Sequence, residues 1–269
     1  MRPPFGADTT GPATFVGVVH LSALPGAPRF DGSFEQVLAR ARADAAALGA
    51  GGCDGLIVEN FGDAPFFAGQ VPAETIACMA LALAEVRRAA PGLPVGVNVL
   101  RNDARAALGI CAATGAEFLR VNIHTGAAVT DQGLITGQAA ETLRERARLA
   151  PGVKILADVH VKHATPLGRE GLVQAAQDTA LRGMADALIL SGAATGEAPD
   201  LAGLRSVRAA VDAPLFLGSG LDLDCADELL PYLDGAIVGT ALKQEGRVDQ
   251  PVDRRRVDAM RRRFDARPG

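Results

Sequence analysis

Eight short apolar segments alternate with helix-like segments along the chain, and this alternation limits the possible folds more than any other feature. The apolar segments are rich in Val, Ile, Leu and Ala and have no regular polar position, which is typical of parallel strands covered on both faces. We predict strands at residues 15–20, 55–60, 95–99, 118–122, 154–159, 187–191, 215–219 and 235–239.

The stretches between these strands have helical spacing and are rich in Ala, Leu and Arg. We predict helices at residues 33–48, 72–88, 104–114, 138–149, 171–182, 201–210, 225–230 and 253–265. Ser33 is a predicted N-cap with Gln36 three residues later, as in a capping box, and Pro72 suits a first helical turn. Eight such units without a linker predict an α/β fold, a single (β/α)8 TIM barrel, with an open doubly wound sheet as the alternative.

The chain length favours one domain. Its 269 residues are within the range that (β/α)8 barrels occupy as a single unit. Hydrophobic residues make up 48% and charged residues 22%, which is enough apolar surface for a large core and enough charge for solubility. We therefore expect one barrel domain over residues 1–269, with a flexible N-terminal segment at residues 1–13.

Charge and cysteine usage exclude several classes of partner and location. The formal net charge is −4, and no Lys or Arg stripe suits a nucleic-acid backbone. The scattered cysteines Cys53, Cys78, Cys111 and Cys225 form no C-x-x-C pair, as expected for reduced thiols in a cytoplasmic protein. No signal peptide or membrane span is predicted. We expect a cytoplasmic homo-oligomer that binds a small molecule.

Two connections after predicted strands are longer than usual. Residues 61–72 carry Phe61, Phe66 and Phe67, so this loop is either a lid or an ordered loop that packs on the rim or on a second subunit. Residues 124–137 form a similar stretch after the fourth strand. The Arg-rich segment at residues 254–264 is interpreted as the solvated face of the last helix.

Polar residues collect where the predicted strands end. The C-terminal ends of the strands form the face that carries the active site in (β/α)8 barrels. Burial of many ionisable groups is unfavourable unless they pair or stay wet, so the set predicts a functional pocket, with a salt-bridged rim as the alternative. The predicted catalytic residues are Glu59, Asp158 and His160, and the predicted substrate-binding residues are His20, Asn60, Asn98, Arg120, Asn122, Lys162 and Ser191.

Glycine-rich turns follow the last two predicted strands, LGSG at residues 217–220 and GTALK at residues 239–243. Glycine lets an anion approach the backbone, and the start of a following helix adds its positive dipole end. Barrel enzymes frequently bind phosphate here, although tight turns alone would also explain the glycines. SGAATG at residues 191–196 offers further amides and hydroxyls. The predicted phosphate-binding residues are Gly192, Gly218, Ser219, Gly220, Gly239 and Thr240.

A substrate anchored by phosphate at the last two strands would direct its reacting end toward Glu59 and Asp158. Two carboxylates in different surroundings can divide acid and base roles. We predict Asp158 as the base or as a stabiliser of a nucleophile, and Glu59 as the acid. Lys162 is predicted to contact an anion rather than to form a Schiff base.

No cofactor is predicted, and the question of a divalent metal is left open. Asp158, His160 and His163, together with His20 or Glu59, have the right chemistry for ligands. The H-x-x-H spacing inside a loop is nevertheless a weak ligand signature, so the sequence does not assign metal ligands.

Long motifs also resemble a known family. They are VVHLSALPGAPRF, GGCDGLIVENFGDAPF, VGVNVLRNDARAAL, RVNIHTGAAVTDQGLITG, ILADVHVKHATPL, LGSG and DGAIVGTALK. Together they are similar to the BtpA/SgcQ family from about residue 15 to residue 257. The family is named after a photosystem I biogenesis protein associated with thylakoid membranes, and related members occur beside sugar-uptake genes. The resemblance implies a ribulose-phosphate-binding type of barrel but no particular reaction or catalytic residues.

Two functions follow from these observations. The first is an enzyme, an isomerase, a lyase or a glycosidic hydrolase, that acts on a phosphorylated sugar or nucleotide. The second is a non-catalytic assembly or stability factor for a larger complex such as photosystem I, which the resemblance suggests. An assembly factor needs an exposed apolar patch, and outside residues 61–67 the sequence shows none, so the enzyme is favoured.

Overall fold

The computed structural model describes residues 13–168, 170–192 and 200–266. Within this part of the chain, eight parallel strands close into a ring in the order β1-β11-β10-β9-β7-β4-β3-β2. The ring confirms the predicted barrel and excludes the open sheet. The strands are β1 (Thr14–His20), β2 (Gly55–Glu59), β3 (Val95–Asn98), β4 (Phe118–Val121), β5 (Ala127–Thr130), β6 (Gly133–Thr136), β7 (Lys154–Asp158), β8 (Ala164–Pro166), β9 (Ala187–Ser191), β10 (Leu215–Ser219) and β11 (Gly235–Val238).

Helices connect the barrel strands and cover the outside of the ring. They are α1 (Phe34–Ala50), α2 (Ala73–Ala89), α3 (Ala104–Thr114), α4 (Ala139–Leu149), α5 (Leu172–Gln177), α6 (Leu201–Ala210), α7 (Ala226–Leu229) and α8 (Arg254–Asp265). The predicted cap of α1 is confirmed, because the side chain of Ser33 accepts a hydrogen bond from the backbone N–H of Gln36. None of the helices in the described ranges has both the length and the apolarity needed to cross a membrane.

Two predicted helices are shorter than the sequence suggested. α5 ends at Gln177 and continues as one π-helical turn, Asp178–Arg182. α7 has four residues and passes into a 3-10 turn, Leu230–Tyr232. Pro231 explains the second difference, because proline has no N–H to continue an α-helix.

The interior of the ring is filled by side chains of alternate strands. This cluster consists of Val16, Val18, Ile57, Phe118, Leu156, Ala187, Ile189, Phe216 and Ile237. Its two phenyl rings take the space left by two glycines, since an added Cβ at Gly96 or at Gly235 would fall 2.3 Å from the ring of Phe118 or Phe216, respectively. The barrel interior is therefore a packed core rather than a pore.

The C-terminal helix completes the outer layer next to β1. Val257, Met260 and Phe264 of α8 are buried, and the rings of Phe15 and Phe264 stack with centroids 4.7 Å apart. β1 also pairs with β11 in parallel register from Thr14 onward. The first strand is thus fixed by two elements from the far end of the sequence.

A small antiparallel sheet that the sequence analysis did not predict stands on the mouth of the barrel. β5 and β6 form a hairpin within residues 124–137, and β8 pairs with the free side of β5. Ala128 and Ile135 of this sheet pack on Ile123 and Val161 as a separate apolar cluster. The small sheet therefore belongs to the wall around the site.

Candidate active site

A cavity of about 640 Å³ lies at the C-terminal ends of the barrel strands. Its volume is in the range of small-molecule sites. The predicted site residues that line it are His20, Glu59, Asn98, Arg120, Asn122, Lys162, Gly218, Ser219, Gly220, Gly239 and Thr240. We refer to this space as the main cavity.

Glu59 ends β2 and is held in place by two neighbours. Its Oε1 accepts hydrogen bonds from Asn98 Nδ2 at 3.1 Å and from Arg120 Nη1 at 3.5 Å. Its Oε2 has no hydrogen bond to any residue that the structure describes and lies 4.0 Å from His20 Nε2. One carboxylate oxygen is thus fixed by the barrel and the other is left for a ligand, which suits a proton-transfer group.

Asp158 is used to hold Arg120. Arg120 Nε and Nη2 donate to the two Asp158 oxygens at 2.8 and 2.9 Å, and Asn122 Nδ2 donates to Asp158 Oδ2 at 2.9 Å. Burial by itself would lower the pKa of Arg120, but the charge and hydrogen bonds of Asp158, with a contribution from Glu59, raise it above its usual value. The Asp158 side chain is fully buried, so both of its oxygens serve to orient the guanidinium.

His20 ends β1 as a neutral imidazole. Burial, followed by the charge of Lys243, lowers its pKa to about 3. Its ring meets the ring of Phe61 edge to face at 5.0 Å, and its Nδ1 is buried without a hydrogen-bond partner among the described residues. The contact with Glu59 is therefore not an ion pair, because His20 carries no charge near neutral pH.

Two glycines of the predicted phosphate turns are required by the packing of other site residues. An added Cβ at Gly218 would lie 2.9 Å from Arg120 Nη2 and 2.9 Å from Ser191 Oγ. At Gly239 it would lie 2.6 Å from His20 Cε1. Anion binding and tight turns were the two explanations offered by the sequence, and the structure adds the close approach of neighbouring side chains, including Ile189 at Gly218.

The same turns contain donors without an internal acceptor. In the described part of the chain, no acceptor is found for the backbone amides of Gly220 and Thr240, and the hydroxyl of Ser219 is buried without a partner. Gly220 has a φ of +84°, a conformation that favours glycine. These groups form a place where an anion could accept several hydrogen bonds.

The prediction that helix dipoles contribute to anion binding at these turns is wrong. After Ser219 the next helix, α7, begins only at Ala226 and has four residues. After Gly239 the chain forms a 3-10 turn, Thr240–Leu242, rather than an α-helix. Aligned peptide dipoles need a longer helix, so any anion here depends on individual amides and side chains.

Five predicted residues lie outside the main cavity. The amide of Asn60 is used internally, because its Oδ1 accepts from the Leu100 backbone and its Nδ2 donates to Asp63. The others are Asp158, His160, Ser191 and Gly192. Residues 193–196 of the predicted SGAATG segment are outside the described residues.

His160 lines a second cavity of about 520 Å³ on the other side of Val161. Burial lowers the pKa of its imidazole, while Glu170 acts in the opposite direction. Asn122 lines both cavities. Asn122 and Val161 therefore form a wall between the two cavities, and the catalytic role predicted for His160 stays a prediction.

Two arginines that the sequence analysis did not assign to the site also line the main cavity. Arg101 follows β3, is 6% exposed and donates to the backbone oxygen of Lys162 at 2.7 Å. Arg256 belongs to α8 and donates to the backbone oxygen of Ala241 at 3.2 Å. A strand-end position was a usable signal for Arg101, but the solvated-face interpretation of residues 254–264 is wrong for Arg256.

The loop at residues 61–72 is an ordered wall of the main cavity. Phe61 and Phe66 line it, while Phe67 is 56% exposed. The loop is anchored by Asp63, which accepts from the Leu24 backbone, and by Asp103, which accepts from the Val71 backbone.

The side chains considered as metal ligands do not converge. Among the described residues, no group of three or more His, Cys, Asp and Glu side chains is arranged to hold a metal ion. Asp158 is taken by Arg120, and His160 faces the second cavity. The ligand set of Asp158, His160 and His163 with His20 or Glu59 is therefore not formed.

The sequence of the chain is similar to the sequences of one known protein family. The sequence profile of the BtpA family matches residues 12–265. Photosystem I biogenesis protein BtpA of Synechocystis is 48% identical over 245 residues, 91% of this chain and 85% of that protein. Putative sgc region protein SgcQ of Escherichia coli is 34% identical over 246 residues, 90% of each.

One solved structure illustrates the likeness at the level of the fold. N-(5'-phosphoribosyl)anthranilate isomerase from Pyrococcus furiosus superposes with a TM-score of 0.56 at 14% identity, covering 94% of this chain and 98% of that one. At this identity the similarity shows the barrel fold alone.

Proposed function

Because the chain belongs to the BtpA family and folds as a (β/α)8 barrel, we infer that it is an enzyme that uses acid/base chemistry on a phosphorylated sugar or nucleotide. The observation that carries this proposal is the composition of one cavity. A fixed carboxylate with an open oxygen, Glu59, shares the main cavity with the unbonded donors of Gly220 and Thr240. Proton transfer and anion binding can therefore act on the same small molecule.

In this proposal Glu59 transfers the proton, and the other polar residues hold the Glu59 carboxylate in position. Asn98 and Arg120 fix Glu59 Oε1, so that Oε2 presents one lone pair to the substrate. Asp158 is a positioning residue, because it reaches the substrate only through Arg120. The guanidinium of Arg120 transmits this positioning, because it also contacts Glu59 Oε1.

The glycine turns anchor the phosphate at the opposite end of the substrate. The Arg256 guanidinium, held by the Ala241 backbone, adds a positive charge at this corner. The Pyrococcus furiosus isomerase is named for a substrate with a phosphoribosyl group, and we extend a ligand of this kind to the present chain as part of the proposal.

Phosphate anchoring is tested by thermal shift with a panel of phosphosugars and nucleotides. A ligand at about one hundred times its Kd adds about 2.7 kcal/mol of stability. We expect the rise with a bound ligand to disappear in Gly220→Asp, because a carboxylate would occupy the anion position. Gly92→Asp is the matched control, since Gly92 has a similar φ of +83° with open space around it; loss of the rise in both variants would contradict the assignment.

Proton transfer is tested by deuterium exchange, which needs no knowledge of the net reaction. The protein is incubated in D2O with each ligand that binds, and deuterium incorporation into the ligand is followed by mass spectrometry. Glu59→Gln should lower the exchange rate by roughly 100-fold or more, as general acid/base groups contribute 10²–10⁴-fold, while ligand binding is kept. Unchanged exchange in Glu59→Gln would overturn the assignment of Glu59 as the proton-transfer group.

A second function, assembly of a larger complex, is favoured by one surface that the sequence analysis did not find. Val129 and Leu134 pair directly across the β5–β6 hairpin and are 48% and 58% exposed, and Leu167 after β8 is 57% exposed. The Synechocystis relative is named for photosystem I biogenesis. A scaffold function predicts that Val129→Ser/Leu134→Ser abolishes partner binding, whereas Glu59→Gln leaves it intact.

A further inference from the structure

We propose that the main cavity takes a substrate with two anionic groups, the second of which binds Arg101 and Lys162 across the mouth from the glycine turns. The substrate class is a bisphosphate or a phosphorylated sugar acid. This inference rests on the proposed function for the first anion and goes beyond it for the second.

The two ends of the proposed substrate site lie on opposite sides of the ring. In the order β1-β11-β10-β9-β7-β4-β3-β2, strand β3 is four places from β10. Arg101 follows β3, and the LGSG turn ends β10. Lys162 follows β7, which is two places from both β3 and β10, and its backbone oxygen accepts a hydrogen bond from Arg101. A ligand that reaches both ends must therefore span the cavity.

Arg101 is buried and forms no ion pair with a residue that the structure describes. It is 6% exposed, its Nη2 donates to the Lys162 backbone oxygen, and its Nε is buried without a partner in the described ranges. Burial lowers the pKa of the guanidinium, while Asp158 and Asp131 act through space in the opposite direction. A buried cation whose donors point to no anion is unfavourable unless a ligand supplies the charge.

Lys162 places a second cation beside the first. Its ammonium lines the main cavity and forms no hydrogen bond or ion pair with a described residue. Burial lowers its pKa most, followed by the charge of Arg120, while Glu59 and Asp158 act in the opposite direction and Arg101 adds a smaller lowering effect. Two neighbouring cations repel each other, so both gain when an anion lies between them.

Arg120 shows that the protein can neutralise a buried cation in this cavity when no ligand is needed. Its guanidinium makes a two-point contact with Asp158 and a longer one with Glu59. Neither Arg101 nor Lys162 has a comparable carboxylate among the described residues. The contrast assigns Arg120 to the internal framework and the other two to a ligand.

The test compares two matched pairs of probes by calorimetry. The pairs are fructose 6-phosphate with fructose 1,6-bisphosphate, and glucose 6-phosphate with 6-phosphogluconate. Each pair differs mainly in one anionic group. We expect the doubly anionic member of at least one pair to bind about 10- to 100-fold more tightly, as charge-assisted hydrogen bonds would give.

Variants then locate the second group. Lys162→Met and Arg101→Gln should remove the advantage of the doubly anionic probe and leave the affinity for the monophosphate within about twofold. Arg88→Gln, at a residue 72% exposed on α2, is the matched charge control and should change neither. If Arg101→Gln fails to fold, Lys162→Met alone still tests the second anion site, since Lys162 is only partly buried.

The outcomes separate this inference from the proposed function. Equal affinity for both members of each pair, or an advantage that survives Lys162→Met, would overturn the second anion site while a bound monophosphate would still support the first. Absence of binding by every probe would overturn both.

Discussion

The pKa of His20 differs between the folded and the unfolded chain, so protonation of this side chain affects stability. The imidazole has a pKa of about 3 in the folded chain and an ordinary value of 6.5. Between these values the unfolded chain binds a proton that the folded chain does not. Neutral His20 therefore contributes stability that is fully present above pH 6.5 and is lost as the pH falls.

We predict that His20→Gln reduces the pH dependence of unfolding in this window. The contribution of one proton is about 1.4 kcal/mol per pH unit, so the unfolding free energy of the native chain should fall more steeply than that of the variant between pH 6.5 and pH 4.5. Urea titrations at several pH values measure both slopes. Parallel curves for the two proteins would show that His20 titrates normally in the fold.

The residues of the site could be predicted to the extent that strand ends determine them. Glu59, Asn98 and Arg120 were found because each ends a predicted strand, and parallel strands end at one face. Partner choice could not be predicted, since nothing in the sequence shows that Asp158 gives both oxygens to Arg120. Arg256 was missed because a helix surface position does not indicate which way the side chain reaches.

At the scale of elements, a buried ion pair ties α1 to the segment after β11. Lys243 is 0% exposed, and its Nζ donates to Asp44 Oδ2 at 2.6 Å. Asp44 Oδ1 accepts from the Val252 backbone at 2.8 Å, and Arg40 also contacts Oδ2 at 3.3 Å. Lys243, although part of the GTALK motif, thus serves the framework.

We predict that Lys243→Met destabilises the protein by about 3 kcal/mol, because it leaves the Asp44 carboxylate buried with only the partly exposed Arg40 as counter-ion. Asp44→Asn/Lys243→Met removes both charges and keeps an acceptor for Val252, so it should recover most of this loss. Chemical denaturation of the three proteins measures the difference. A double variant as unstable as the single one would assign the effect to packing instead.

The barrel strands were predicted correctly because each is marked in the sequence by a continuous apolar run. All eight barrel strands were predicted within one residue at their ends, since uniformly apolar runs identify buried parallel strands. β5, β6 and β8 were missed because strands of three or four residues show too few alternations to be recognised. The apolar residues Val129 and Leu134 were consequently not recognised as one exposed face.

At the scale of the whole molecule, phenyl rings fill the barrel interior in the space that glycines leave open. We predict that Gly96→Ala lowers the unfolding free energy by about 1–3 kcal/mol, because the added methyl group collides with the Phe118 ring. Gly96→Ala/Phe118→Leu should recover part of the loss. Thermal unfolding measures both.

Gly109→Ala is the control for this prediction. Gly109 lies in α3, and an added Cβ would meet nothing within 4 Å, so alanine should raise stability by about 0.5–1 kcal/mol through helix propensity. Equal losses at residues 96 and 109 would contradict the prediction, because contact with the Phe118 ring could then not be the cause of the loss at residue 96.

The position of α8 has a consequence for how the protein folds. Near its start the helix reaches the mouth through Arg256, and near its end it stacks Phe264 on Phe15 at the base of the first strand. Until α8 packs on the barrel, the base of β1 lacks its stacked ring and the mouth of the main cavity lacks Arg256. Formation of the complete cavity therefore depends on the docking of this helix.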